Sequence, residues 1–185
     1  MDRQDFHYQQ DYCEENIWYL CQERIFQDYK RKIVFISNEK KACRFWGQQA
    51  STSPVKPVCL DYHVILLSDQ SQWRVWDLDT AIGFPVLAEA YLVKTFQRYE
   101  ELANEDPPLF RVINAKEFID VFSSDRSHML DDLGQWLSPP PPWPPILQGS
   151  IATFEKFVDM HSGWIGEVLT LDDMYAEFTS KAVEG

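Results

Sequence analysis

The chain has 185 residues, 45% of them hydrophobic and 15% aromatic, and its 29 acidic against 17 basic groups give a formal charge of -12. Twelve Phe, eight Tyr and seven Trp supply enough buriable surface to exclude disorder for most of it, and the length fits a single domain over residues 1–185, with residues 1–8 as a flexible lead. A pI near 4.7 speaks against nucleic acid as a partner, and the lack of an apolar run of about 18 residues or of a signal-like leader predicts a soluble intracellular protein without membrane attachment.

From Asp11 to about Tyr29, Cys13, Ile17, Leu20, Cys21 and Ile25 recur at helical spacing, so a helix beginning near Cys13 is predicted to turn that cysteine towards the core. The β-branched run Ile33 to Ser37 reads as a strand. A loop with Pro54 and Pro57 follows, then two strands, Val58 to Leu67 and Gln72 to Leu78, read as a hairpin. Val86 to Phe96 has helix-forming residues, and Phe110 to Ile113 reads as a short strand. Asn114 with Glu117 resembles a helix-start signature that launches Phe118, Ile119 and Phe122 on an apolar face. Residues 123 to 150, which contain PPPPWPP, are expected to form an irregular loop packed on their own domain rather than a ligand for a partner. Two further helices, Phe154 to Met160 and Leu171 to Thr179, flank a strand at Trp164 to Leu169, and Thr170 with Asp173 resembles a capping pair.

The four cysteines contain no CxxC pair and none sits near a histidine at zinc-ligand spacing, so no metal is expected. Reduced thiols then serve packing or catalysis, and packing suffices for Cys21, Cys43 and Cys59. Cys13 too can be read as a small buried apolar residue, but at a helix start unpaired N–H groups and partial positive charge would stabilise its thiolate, which makes it the candidate nucleophile. His63 stands in DYHVILL, where imidazole is an odd filler unless its ring nitrogens find partners. If Asp69, Gln70 and Ser71 form a three-residue loop, opposed residues sum to 140 and His63 faces Asp77 across the strands. A two- or four-residue loop would instead put them on opposite faces, and Asp61 and Asp79 compete for the orienting role. A cysteine nucleophile, a histidine base and an orienting aspartate make up an acyl-transfer constellation.

The segments YCEENIW, VFISNE, DYHVILL, WDLDT, FRVI and SDRSHM with PPPPWP resemble, in order and spacing, the eukaryotic protein N-terminal glutamine amidohydrolases, from about residue 8 to about residue 180. The resemblance implies a single α-β-α sandwich of the α/β (α+β) class with a mainly antiparallel sheet, related to the transglutaminase core. It implies a catalytic triad of Cys13, His63 and Asp77, no cofactor, and hydrolysis of the side-chain amide of an N-terminal glutamine to glutamate and ammonia. It further implies a monomer of the cytoplasm and nucleus whose product feeds the N-degron degradation pathway.

Selecting a terminal glutamine requires recognition of a free α-ammonium, for which Glu14, Glu15, Asp79 and Asp125 are candidates. The Cys13 N–H is a candidate oxyanion donor and the Trp76 indole a weaker one. The acidity is uneven, with 12 basic and 14 acidic groups in residues 1–100 against 5 and 15 in residues 101–185. That fits either a solvated acidic face or a site that attracts a cationic substrate. A transglutaminase that passes the thioester to an amine, or a non-catalytic scaffold displaying the proline run, are the competing readings.

Overall fold

The run at Ile33 to Ser37 lies in the middle of a six-stranded sheet in the computed structural model, which describes residues 2–96, 98–99, 102, 106–149 and 153–179. Strands β1 (Arg31–Ser37), β4 (His63–Asp69), β5 (Trp73–Trp76), β6 (Val86–Leu87), β7 (Leu109–Asn114) and β8 (Glu167–Leu169) assemble in the order β6-β5-β4-β1-β7-β8. Every neighbouring pair is antiparallel. A separate ribbon pairs β2 (Cys43–Phe45) with β3 (Val58–Leu60).

Helices cover both faces, which is why β1 and β4 read as nearly continuous hydrophobic runs and not as an alternation. On one face Ile33, Phe35, Val64 and Leu66 pack with α1 (Cys13–Leu20), α3 (Ala115–Val121) and α4 (Phe154–Val158). On the other, Val34, Ile36, Ile65 and Leu67 pack with α2 (Ala88–Phe96), α5 (Leu171–Phe178) and the Cys43 and Phe45 side chains of β2. The result is a three-layer α-β-α sandwich of mixed α/β class with a mainly antiparallel sheet.

Several boundaries differ from those read in the sequence, each for a local reason. The strand at Val58 to Leu67 is two strands, because an Asp61 carboxylate accepts the Tyr62 N–H (3.0 Å) and the Asp61 carbonyl accepts the Ser37 hydroxyl (2.6 Å), interrupting the ladder. Its first half pairs instead with β2, which lies within the stretch read as a loop. β-branched Val86 joins the sheet edge, so α2 starts at Ala88. Gly166 confines the last strand to Glu167–Leu169: its φ is +64°, and a Cβ there would lie 2.4 Å from the Val112 carbonyl oxygen. Asn114 does occupy the cap position of α3, yet its side chain donates to Glu117 (2.8 Å) and accepts no helix N–H. Thr170 and Asp173 form a reciprocal capping box.

Candidate active site

The β4–β5 hairpin pairs Leu66 with Trp76 and Asp69 with Trp73, sums of 142 rather than 140. The three-residue loop is thus Gln70 to Gln72, shifted by one from the expected one, and Ser71 takes the left-handed conformation (φ +69°) that glycine usually supplies. An even shift preserves parity. Asp77 lies just past the last residue of β5, and its Oδ1 is 3.0 Å from His63 Nε2. Asp79 and Asp61 do not hold the ring: the Asp79 N–H donates to Asp77 Oδ1 (2.9 Å), and Asp61 caps its own turn.

Asp77 is fully buried, and four donors fill its two oxygens. Oδ1 receives His63 and the Asp79 amide, while Oδ2 receives the Tyr91 hydroxyl (2.8 Å) from α2 and Gln48 Nε2 (3.2 Å). Gln48 is brought there by the bridge between Gln48 and Thr80 and by the Gln49 N–H on the Asp79 carbonyl (2.8 Å). Burial alone would raise the carboxyl pKa, but the His63 charge and these hydrogen bonds outweigh it and hold it below its ordinary value. The same balance acts on His63: burial disfavours the imidazolium, Asp77 more than offsets this, and the ring pKa is raised above 6.5. His63, Asp77 and Asp79 bring three ligand-type atoms within 4.8 Å, but with Nε2 and both Asp77 oxygens committed to hydrogen bonds the cluster reads as acid-base machinery.

Cys13 is the first residue of α1. The strap before it is fixed by Asn16, whose side chain both accepts the Gln9 N–H and donates to the Gln9 carbonyl, each at 2.8 Å, and Asp11 makes the turn with φ +66°. Ile17 and Leu20, on the same helical face, anchor α1 against Val64 and Leu66. This sets Cys13 and His63 in the wall of one cavity of about 750 Å³. With Nε2 on Asp77, Nδ1 is the ring nitrogen left for proton exchange within it. The expected thiolate stabilisation at the helix start is overridden: burial, then Glu14 and Asp79, push the Cys13 thiol well above its ordinary pKa, against an opposing hydrogen bond from the Val64 N–H.

The other residues singled out in the sequence separate clearly. Asp79 lines the cavity and accepts the Tyr8 hydroxyl (2.6 Å). Glu14 is sealed behind Cys13 and Tyr62, without exposure. Glu15 is taken up by a two-point pairing with Arg126 (2.7 and 2.8 Å) and by the Trp143 indole (2.7 Å), which fasten the proline-rich loop to α1. Asp125 is exposed and caps the Ser127 N–H. The Trp76 indole donates to Ser68 (2.9 Å) in the core, so it is no oxyanion donor. The site also draws in Tyr8, Gln48, Tyr62, Tyr91 and His128, which residue type and spacing alone do not mark. Tyr62 and His128 lie inside the resembling blocks, whereas Gln48 and Tyr91 carry no local signal, since only the tertiary fold brings them to Asp77.

A helix-start cysteine sharing a cavity with a buried His–Asp pair is the arrangement by which cysteine-dependent amide hydrolases and acyl transferases work. The family model described as N-terminal glutamine amidase matches residues 8–178. The human protein N-terminal glutamine amidohydrolase is 41% identical over 183 residues, covering 94% of this chain and 88% of that protein. Those of Bos taurus and Drosophila melanogaster are 39% and 36% identical, again over 94% of this chain and over 87% and 89% of theirs. The chain belongs to the N-terminal glutamine amidase family.

Proposed function

We propose that this protein hydrolyses the side-chain amide of an N-terminal glutamine, with Cys13 as nucleophile, His63 as general base and acid, and Asp77 orienting the ring. The observation that carries this reading is the 3.0 Å contact between His63 Nε2 and Asp77 in the cavity that Cys13 also lines. The Cys13 thiol proton passes to His63 Nδ1 as sulfur attacks the amide carbon. Oxygen takes up the charge near the N–H groups of the first turn of α1, which lack in-helix acceptors. The C–N bond breaks, and ammonia leaves with the proton from His63. Water, deprotonated by His63, then splits the thioester to give N-terminal glutamate and the thiol.

Asp79 is the carboxylate best placed for the substrate's α-ammonium, because it lines the cavity and Tyr8 holds it. Acting on a free N-terminus, the protein works as a monomer in the cytoplasm and nucleus, needs neither nucleic acid nor membrane, and its product enters N-degron degradation. The test is ammonia release from a peptide beginning with Gln, with and without an added amine. Its acetylated form and an internal Gln, which lack the α-ammonium, are expected to react far more slowly, and an N-terminal Asn about 100-fold more slowly, because shortening by one methylene withdraws the carbon from a fixed nucleophile. Cys13→Ser is expected to abolish release without loss of folding. Amine incorporation in place of ammonia-to-acid conversion would identify a transglutaminase, and comparable rates on internal Gln would overturn the terminal specificity.

A further inference from the structure

Glu14 follows the nucleophile and has no access to solvent, yet among the described residues only one of its two carboxylate oxygens accepts a hydrogen bond. Oε2 accepts the Tyr62 hydroxyl at 2.9 Å and faces the Cys13 thiol at 3.7 Å. Oε1 has no hydrogen-bond donor among the described residues and meets His128 Nε2 only as an ion-pair contact at 3.4 Å; that nitrogen is 3.5 Å from the Tyr62 hydroxyl, and its ring is stacked on Phe154. A carboxylate oxygen buried without a bond is costly and calls for a compensating use. Fastening the loop to α1 is not that use, because the neighbouring Glu15–Arg126 pair, reinforced by Trp143, already does so with both oxygens filled. Nor does Glu14 line the cavity, so it cannot receive the substrate's ammonium directly.

We infer that Glu14, fixed by Tyr62 and His128 beside the sulfur, is a positioning residue that keeps Cys13 a thiol until a substrate binds, so that the nucleophile forms only when a cationic N-terminus is present. This builds on the proposed substrate. The groups near Cys13 are Glu14 on its own helix, Tyr62 just before β4, and Asp77 and Asp79 beyond β5, while His63 at the start of β4, Tyr8 and Asp11 on the strap, Lys41, Asp61, His128 and Glu155 line the same cavity. Among the described residues around the cavity carboxylates outnumber cations, with Lys41 and the His63 imidazole as the opposing charges. A bound α-ammonium beside Asp79 offsets one carboxylate, and the S–H bond then breaks with its proton moving to His63 Nδ1 and its electron pair staying on sulfur. Free N-terminal charge would thereby be read twice, in binding and in the making of the nucleophile.

The test is iodoacetamide alkylation of Cys13 across pH 5 to 10, followed by peptide mapping to separate it from exposed Cys59. Glu14→Gln is expected to alkylate about tenfold faster near pH 7, with the midpoint of its pH profile about one unit lower. In the wild-type protein, glycinamide supplies an α-ammonium without a side chain and is expected to accelerate alkylation several-fold, while N-acetylglycinamide does not. A Glu14→Gln profile equal to wild type would overturn the inference. If that variant does not fold, the glycinamide arm decides, and equal effects of the charged and acetylated compounds overturn it. Ammonia release by the wild-type chain is read in parallel, so deamidation with an unchanged Glu14→Gln profile refutes the role of Glu14 alone.

Discussion

Asp77 shows how one side chain can set the chemistry of another. Because the buried carboxylate raises the pKa of His63 above 6.5, the base is charged at mildly acidic pH and cannot take the thiol proton. The kcat/KM of the wild-type protein is therefore expected to rise with pH through a limb above 6.5. Asp77→Asn removes the charge that outweighs burial, so that limb should move to lower pH while the rate falls by on the order of 10²- to 10⁴-fold. A limb unmoved by the substitution would detach it from His63. The sign for stability follows from the same two shifts. The His63 contribution is present below its unfolded pKa and lost as pH rises through the raised folded value; that of Asp77 is present above its unfolded pKa and lost as pH falls through the depressed one. Their joint contribution is greatest between about pH 4 and 6.5, and denaturant titrations of wild type and Asp77→Asn should differ most in that window.

At the scale of elements, α1 and the hairpin place the site, and the loop of residues 123–149 holds α1 in position. Removing Arg126 by substitution with Met would leave the Glu15 carboxylate buried with only the Trp143 indole. That should cost about 3–5 kcal/mol, measurable as a lower denaturation midpoint, whereas changing Glu15 and Arg126 together to Gln and Met should recover part of it. An Arg126→Met protein as stable as wild type would show that the loop is not fastened through this pair. These elements were unevenly legible in the sequence. The recurrence of Cys13, Ile17, Leu20 and Cys21 located α1 because a helix packed on a sheet must present one apolar face. A loop at Asp69 to Ser71 predicts a hairpin register two residues off, since Ser71 adopts a positive φ that its residue type does not announce. Parity survived the error, which is why His63 and Asp77 could still be brought to one face. Glu15 looked like a ligand for a cation and is one, but the cation is Arg126, 111 residues away, and no local pattern encodes such a partner.

For the whole molecule, a net charge of -12 would be a burden on self-association and on any anionic partner, but the substrate's free N-terminus is a cation. The cavity brings this charge to bear locally. Asp11, Asp61, Asp79 and Glu155 line it, against Lys41 on the cationic side. Substrate peptides that carry Lys or Arg near their glutamine should therefore associate faster than acidic ones, and the difference should shrink as salt shortens the reach of the field, from about 30 Å at 0.01 M to about 8 Å at 0.15 M. We expect kcat/KM for a Gln-Lys-Lys peptide to fall several-fold over that range and for a Gln-Glu-Glu peptide to rise, with kcat of both nearly constant, because steering acts on encounter and not on the bond-breaking step. Stopped-flow ammonia assays at several ionic strengths decide this. Parallel salt dependence for the two peptides would mean that the acidity is a solvated face with no part in substrate capture, whereas opposite slopes would show the field of the folded chain selecting its substrates before Cys13 is reached.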